Sequence, residues 1–500
     1  MVAIVESALH ELRARLAEIS DLSRAAGVLG WDQRVTMPSR GTEARAEQLS
    51  TLGRIAHERF TDDEIGRLLD RAQLEVASLP YDADDRSLVR VTRRDWEKAR
   101  RVPSELRAEM TLQGARGHHA WVEARRTSDF ASFLPYLERN VELKRRYVEC
   151  FEWSDSPYTP LLDDYEPGML TTEVRDVFAA LRPRLTELVA SAPDVDASFL
   201  AGGHFPPEAQ QAFAERVIRT MGFDDDAWRL DPTVHPFCTS FSNRDVRLTT
   251  RYRPDDLESV WSTMHEAGHG LYAHGIADAL LRSPLHGAPS LGINESQSRT
   301  WENLVGRSRP FWEHWYAPLQ EHFPALRGVE LDTFVRAINR AEPGLIRVDA
   351  DETTYSLHII LRFELEQELV DGTVALEDLP EIWNARMKEF LGIDVPDNAH
   401  GVLQDVHWSG GGIGYFPTYA LGNVISLQIW DAVRGALPDL DDQLEGGDLL
   451  PLSEWLRDNL YALGRKLTPK ETIERLTGSP VIDPAPYLAY LGDKVAALAT

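Results

Sequence analysis

Cysteine and lysine are both scarce in this 500-residue chain, which contains two cysteines, Cys150 and Cys238, and only six lysines. Two cysteines cannot build a disulfide framework in a chain of this size, so the sequence predicts a protein of the cytoplasm. Acidic residues outnumber basic ones by 80 to 53, and the net charge of −27 is spread along the chain. Such a charge favours solubility and argues against nucleic acids or anionic membranes as partners.

Long hydrophobic runs and flexible linkers are also missing. No stretch reaches the roughly 18 consecutive apolar residues that predict a transmembrane helix, and the N-terminus becomes charged too early for a signal peptide. Length alone would allow two or three domains. Because no repeat, low-complexity segment or Gly/Ser-rich linker divides the sequence, it predicts one domain over residues 1–500.

Helical periodicity dominates what is present. Apolar residues recur at i, i+3 and i+4 in residues 2–26, 42–57, 88–101, 105–127, 130–152 and 172–191, and a further helix is expected over 352–368. Residues 234–252 instead alternate around Ser242-Asn243-Arg244, which predicts a hairpin or small sheet. The expected fold is therefore mostly α: a single large helical domain with a deep groove, lined near residues 265–269 by a small β-sheet.

Residues 265–269 read His-Glu-Ala-Gly-His, the most informative segment of the chain. Two histidines four residues apart lie on the same face of a helix, so His265 and His269 can bind one ion. Zinc accepts imidazole nitrogen, and this spacing leaves Glu266 beside the open coordination position, where it can accept a proton from water. The ordinary alternative is a solvated helix that carries two unrelated histidines.

Glu295 is the predicted third ligand, 26 residues after His269. A gap of this length suits a second helix packing across the first, capped by Ser290 or Asn294. Two histidines and one carboxylate leave the fourth position of a zinc site open for water. Alternatively, Glu295 is an exposed acid near a helix start, where it favours the helix dipole.

Several separated segments resemble the M32 metallocarboxypeptidases, which are thermostable-carboxypeptidase-like enzymes. Beside the His-Glu-x-x-His helix and Glu295-Ser-Gln, the matching segments are Gly30-Trp-Asp-Gln33, Met37-Pro38, His235-Pro-Phe237, Asp245-Val-Arg-Leu-Thr249, Ile346-Arg-Val-Asp-Ala-Asp351 and Gly401-Val-Leu-Gln-Asp-Val-His-Trp408. Their order and spacing agree with the family over nearly the whole chain. The resemblance implies a metal-dependent carboxypeptidase that acts on peptides with a free C-terminus. It also implies one divalent ion per chain, zinc or else cobalt, and a homodimer.

One departure from the family pattern is Asn294, which stands where the family usually has histidine before the liganding glutamate. Asparagine can still hydrogen-bond a neighbouring ligand or cap the helix. A change of this kind alters metal affinity by about 10–100-fold, so metal retention or the pH optimum is expected to differ.

A carboxypeptidase must also recognise a terminal carboxylate, which arginine does best through its planar fork. Arg347 is the first prediction for this role, and the alternative is that it pairs with Asp349 or Asp351 to hold a helix start. Arg247 is the rival anchor. His235 either lines the cleft or steadies the sheet.

Amide hydrolysis further requires hydrogen-bond donors for the oxyanion. The candidates are His407, Tyr415 and Tyr419, and the resemblance favours His407 together with one of the tyrosines, although either tyrosine alone suits a structural role equally well. Asp405 and Glu302 are both candidates for orienting the imidazoles that bind the metal, and the sequence does not choose between them.

Three functions follow from these residues. The first is a carboxypeptidase that releases single residues, with Glu266 as general base. An oligoendopeptidase or a dipeptidyl carboxypeptidase would use the same metal chemistry. A catalytically inactive scaffold or chaperone would be expected to have lost Glu266 or a ligand, and all of them are present.

Overall fold

The structure, a computed structural model, describes residues 7–499. Its helices are α1 (Ala8–Val35), α2 (Thr42–Thr61), α3 (Asp63–Glu75), α4 (Asp84–Arg101), α5 (Ser104–Thr127), α6 (Phe130–Val148), α7 (Thr159–Leu162), α8 (Thr171–Ser191), α9 (Ser198–Ala201), α10 (Pro207–Met221), α11 (Glu258–Gly275), α12 (Leu291–Arg299), α13 (Arg309–His322), α14 (Leu331–Ile338), α15 (Glu352–Asp371), α16 (Leu379–Leu391), α17 (Pro417–Ala436), α18 (Leu440–Glu445), α19 (Leu450–Asn459), α20 (Pro469–Thr477) and α21 (Ala485–Ala497). The strands are β1 (Trp228–Pro232), β2 (Cys238–Ser242) and β3 (Asp245–Thr250).

The predicted mostly helical fold is confirmed, and the differences lie at helix ends. The helix predicted over residues 2–26 is α1, which continues to Val35; residues 2–6 of that prediction lie outside the described range. The helix predicted to reach residue 152 ends at Val148. Between residues 7 and 499, no helix combines the length and apolar character needed to cross a membrane.

The sheet contains the predicted hairpin and one additional strand. β2 pairs with β3 in antiparallel orientation around the predicted turn, and β1 pairs with β3 in parallel, which gives the order β1-β3-β2. β1 is only five residues long and ends at a proline, so its sequence carries little strand signal.

Two glycines set how closely α12 packs between α11 and α17. A Cβ atom at Gly268 on α11 would lie 2.7 Å from the carbonyl oxygen of Gln297, and one at Gly422 on α17 would lie 2.6 Å from Cγ of Glu295. Side chains cannot occupy such short distances, so both helices approach α12 through glycine. This crossing holds Glu295 against the helix that carries the two histidines.

The core is continuous from one end of the described chain to the other. Leu12 of α1 and Leu491 of α21 belong to the same cluster of buried apolar side chains, together with most of the helices between them. This continuity supports the prediction of one domain over residues 1–500.

Candidate metal centre

The three predicted ligands meet at one point. His265 and His269 come from α11 and Glu295 from α12, and one ligand atom from each lies within 4.8 Å of the others. Glu295 Oε2 lies 3.5 Å from His269 Nε2 and 3.8 Å from His265 Nε2. Two imidazole nitrogens and one carboxylate oxygen form a donor set typical of a zinc peptidase.

The opposite ring nitrogen of each histidine has its own partner. His265 Nδ1 lies 2.8 Å from Glu302 Oε2, and His269 Nδ1 lies 3.3 Å from Asn294 Oδ1. Because each oxygen accepts a hydrogen bond from Nδ1–H, the Nε2 lone pairs are directed toward Glu295 and available to an ion. Glu302 therefore orients His265, whereas Asp405 does not contact the ligands.

Arg299 holds the two carboxylates of the centre in place. Its Nε donates to Glu295 Oε1 at 2.7 Å, and a terminal nitrogen lies 3.1 Å from Glu302 Oε2. Glu302 lies in a π-helical turn, Thr300–Val305, directly after α12. Burial opposes ionisation of both acids, but Arg299 and the imidazoles outweigh it, so the pKa of Glu302 falls to about 2 and that of Glu295 below its ordinary range. The carboxylate of Glu295 is therefore ionised, which is the form that binds a metal ion.

Glu266 is the remaining acid of the centre. Its side chain is buried, and Oε2 has no hydrogen-bond partner among the described residues. Burial raises its pKa to about 8, against a smaller lowering effect of His269. A divalent cation at the neighbouring ligands supplies the positive charge that favours the ionised form. The unpartnered carboxylate oxygen thus fits a centre that holds a metal and water.

A cavity of about 470 Å³ opens onto the centre. Besides the ligands and Glu266, its walls include Tyr415 and Tyr419, the segment Pro236–Ser240 that contains the first part of β2, and the loop residues His286, Gly287 and Ala288. The prediction that a small sheet lines the cleft near the metal is confirmed.

His407 lies behind this wall rather than in it. Its Nε2 is 3.5 Å from the hydroxyl of Tyr419, and its ring packs 5.3 Å from that of Tyr415. Burial lowers its pKa to about 4, so the imidazole is neutral near pH 7. Of the three predicted oxyanion donors, the two tyrosines line the cavity and His407 contacts them.

The predicted carboxylate anchors are already paired. Arg347 is buried, donates to both oxygens of Asp405 at 2.7–3.2 Å, and donates to the hydroxyl of Tyr355 at 3.0 Å. Its carboxylate partner is therefore Asp405, rather than the Asp349 or Asp351 that the sequence offered. Arg247 donates to Asp245 at 2.8 Å and stacks 4.6 Å from the ring of Trp31.

His235 is exposed and does not line the cavity, although Pro236 and Phe237 beside it do.

The sequence did not reveal three side chains at or near the centre, namely Arg24, His286 and Arg299. Arg299 follows Glu295 by four residues, a helical spacing that could have revealed it. Arg24 and His286 have no local signal.

In this helical domain, a His-Glu-x-x-His helix and a carboxylate from the next helix meet at the floor of a cavity. That arrangement defines a metallopeptidase. The chain belongs to the carboxypeptidase Taq (M32) metallopeptidase family, whose profile matches residues 11–495. It is therefore a hydrolase and a metal-dependent carboxypeptidase, as the motifs predicted.

Similar proteins extend over the full chain. Thermostable carboxypeptidase 1 of Thermus thermophilus is 40% identical over 99% of each chain, and carboxypeptidase 1 of Bacillus subtilis is 37% identical over 93% of each. The crystal structure of an M32 carboxypeptidase from Deinococcus radiodurans is 41% identical, covers 99% of this chain and 100% of its own, and superimposes with a TM-score of 0.94.

We expect Asn294→Ala to weaken metal binding by about 10-fold, the lower end of the range for residues that orient a ligand, because the contact to His269 is long. Asn294→His, which introduces the residue usual in the family, should retain the metal at least as well as the wild type. Competition with a chromophoric chelator measures both affinities, and Asn459→Ala, an exposed asparagine on α19, is the matched control. Unchanged affinity in Asn294→Ala would show that this contact does not orient the ligand.

Proposed function

We propose that the protein removes single residues from the C-terminus of peptides, with Glu266 as general base and His265, His269 and Glu295 holding a zinc ion. The observation that carries this proposal is the unpartnered, buried Glu266 carboxylate in the same cavity as the three ligands. When bound, a divalent metal lowers the pKa of water and polarises the scissile carbonyl.

The side chains at the cavity have separate roles in the reaction. Glu266 accepts a proton from the attacking water on its free Oε2 and passes it to the departing amine. Burial raises the pKa of Tyr415 and of Tyr419, so both hydroxyls stay protonated and can donate to the developing oxyanion. Neutral His407 supports Tyr419 from behind. The roles of all four side chains remain proposals.

The roles of Arg347, Arg247 and His235 in substrate binding also stay predictions. For Arg347, the contacts favour a supporting role: it ties Asp405 to Tyr355, and its guanidinium lies 5.1 Å from the ring of Tyr419. Removing it would leave the partly buried Asp405 with Arg362 as its remaining arginine partner. We therefore expect Arg347→Ala to damage the cavity wall in general rather than the recognition of one substrate group.

Further assignments rest on composition and on the resemblance to the family. We propose zinc as the ion, with cobalt as the substitute, a homodimer, location in the cytoplasm, and no nucleic-acid or membrane partner. A dimer would have twice the chain mass of 56.4 kDa, which light scattering measures directly.

The oligoendopeptidase and dipeptidyl carboxypeptidase alternatives are separated by the products. A matched pair of peptides that differ only in a free or amidated C-terminus is incubated with the wild-type enzyme. We expect the free acid to be hydrolysed about 10–150-fold more efficiently, since charge-assisted hydrogen bonds to a carboxylate contribute about 1.5–3 kcal/mol. Mass spectrometry should show single amino acids leaving in sequence. Equal hydrolysis of the two peptides, or release of dipeptides, would contradict the proposal.

A further inference from the structure

Arg24 of α1 lines the cavity that contains the metal ligands. It is the only arginine or lysine among the described side chains that form this wall. Among the ion pairs of residues 7–499, none joins Arg24 to a carboxylate, whereas Arg247, Arg299 and Arg347 are each paired with one. The cavity therefore contains one permanent positive charge without a negative partner.

Neutral groups fix this guanidinium in place. Its Nη1 donates to the carbonyl oxygen of Ser240 at 2.8 Å, and its Nη2 lies 2.6 Å from Nδ1 and 3.4 Å from the carbonyl oxygen of His286. A guanidinium has five N–H donors, so these three contacts leave others free. Arginine held in this way is ordered before any ligand arrives, which reduces the entropy lost on binding.

His286 provides a second donor next to Arg24. Because Nδ1 accepts from Arg24, the proton of the neutral ring lies on Nε2, and that atom is buried without a partner among the described residues. Burial, reinforced by Arg24, lowers the pKa of His286 to about 4, so the imidazole ring is neutral near pH 7. His286 also lines the cavity. An unsatisfied buried N–H donor requires an acceptor, which a ligand can supply.

We propose that Arg24 and His286 bind a carboxylate of the substrate in the cavity, and that Arg24 rather than Arg347 is the principal anionic-group anchor. The proposal rests on the proposed carboxypeptidase function. A carboxylate accepts hydrogen bonds from both side chains and neutralises the unpaired charge of Arg24. The substrate carboxylate comes from one of two sources, the terminal α-carboxylate or the side chain of an acidic last residue.

The test measures peptide binding to the metal-loaded Glu266→Gln variant, in which slow turnover permits equilibrium titration. Arg24→Met removes the charge with little change in length, and Arg24→Lys keeps the charge without the planar fork. Arg15→Met is the matched control, since Arg15 lies on the same helix, is exposed and pairs with Glu11. The ligands are a peptide ending in glutamine as free acid, the same peptide amidated, and a free acid ending in glutamate.

Two results support the proposal and distinguish the sources. If the α-carboxylate is bound, Arg24→Met weakens both free acids by about 10–150-fold and leaves the amide unchanged. If the side chain is bound, only the peptide ending in glutamate is weakened. In either case Arg24→Lys recovers part of the affinity, His286→Phe loses about 2–10-fold, and Arg15→Met binds like the parent.

Two other results overturn it. The first is an equal loss of affinity for the acids and the amide in Arg24→Met, because a general change in the fold produces that pattern. The second is an Arg24→Met variant that binds all the free acids as tightly as the parent does. Hydrolysis of free and amidated peptides by the wild type tests the carboxypeptidase function separately. If the wild type prefers the free acid and Arg24→Met keeps that preference, the carboxypeptidase function stands. Arg24 then has no part in recognising the carboxylate.

Discussion

Glu266→Gln is expected to lower kcat by about 100- to 10,000-fold, the contribution of a positioned general base. Glutamine has the same shape, but its amide cannot accept a proton from water. No described residue hydrogen-bonds Glu266 Oε2, so the substitution breaks no such contact at that atom. The ligand atoms of His265, His269 and Glu295 are untouched, and the metal content should stay at one ion per chain.

Two measurements separate this effect from a loss of metal or of fold. Steady-state kinetics give kcat, and elemental analysis of the same sample gives the ion content. Glu258→Gln is the matched control, since it replaces a half-exposed glutamate on the same helix, and it should keep kcat within about twofold. Substantial activity in a metal-loaded Glu266→Gln sample would remove this residue from the role of base.

The second large effect is expected for His265→Ala, which removes one of the three ligand atoms. Loss of a direct ligand should reduce metal affinity by more than about 100-fold, the upper value for residues that merely orient ligands. Activity should be lost with the ion. In the wild type, a chelator should abolish hydrolysis, and added zinc or cobalt should restore it.

His274→Ala provides the comparison for that variant. His274 lies on the same helix, but its Nδ1 is 2.7 Å from the carbonyl oxygen of Asn243 and it belongs to no ligand cluster among the described residues. It should bind one ion per chain after extensive dialysis, whereas His265→Ala should bind almost none. A stoichiometric ion in dialysed His265→Ala would show that the ligand assignment is wrong.

The metal centre was predictable because its signals are local. His265 and His269 follow from helical spacing, and the capping residue Ser290 marks the start of the helix that carries Glu295. The sequence did not choose between Glu302 and Asp405 as a partner of the histidines. That choice depends on the π-helical turn after α12, which directs Glu302 toward His265, and π turns have no reliable sequence signal.

The substrate side of the cavity was less predictable because pairing over long distances decides it. Arg347 has the motif and the chemistry of an anchor, yet Asp405, 58 residues later, occupies its guanidinium. Arg24 lies on α1 but outside the Gly30-Trp-Asp-Gln33 motif of that helix, and its partners at the cavity, Ser240 and His286, follow it by 216 and 262 residues. No local pattern reports which arginine is left without a carboxylate.

The same separations suggest an order in which the protein is assembled. The predicted ligand His269 and its partner Asn294 are 25 residues apart, whereas Arg24 and His286 are 262 apart. Closing a loop about ten times longer costs roughly 2 kcal/mol more in chain entropy. During synthesis α1 emerges first, but its contacts in the cavity must wait until the loop with His286 has left the ribosome. We therefore expect a refolding chain to acquire its ion before its peptide site, with docking of α1 as the later, slower step.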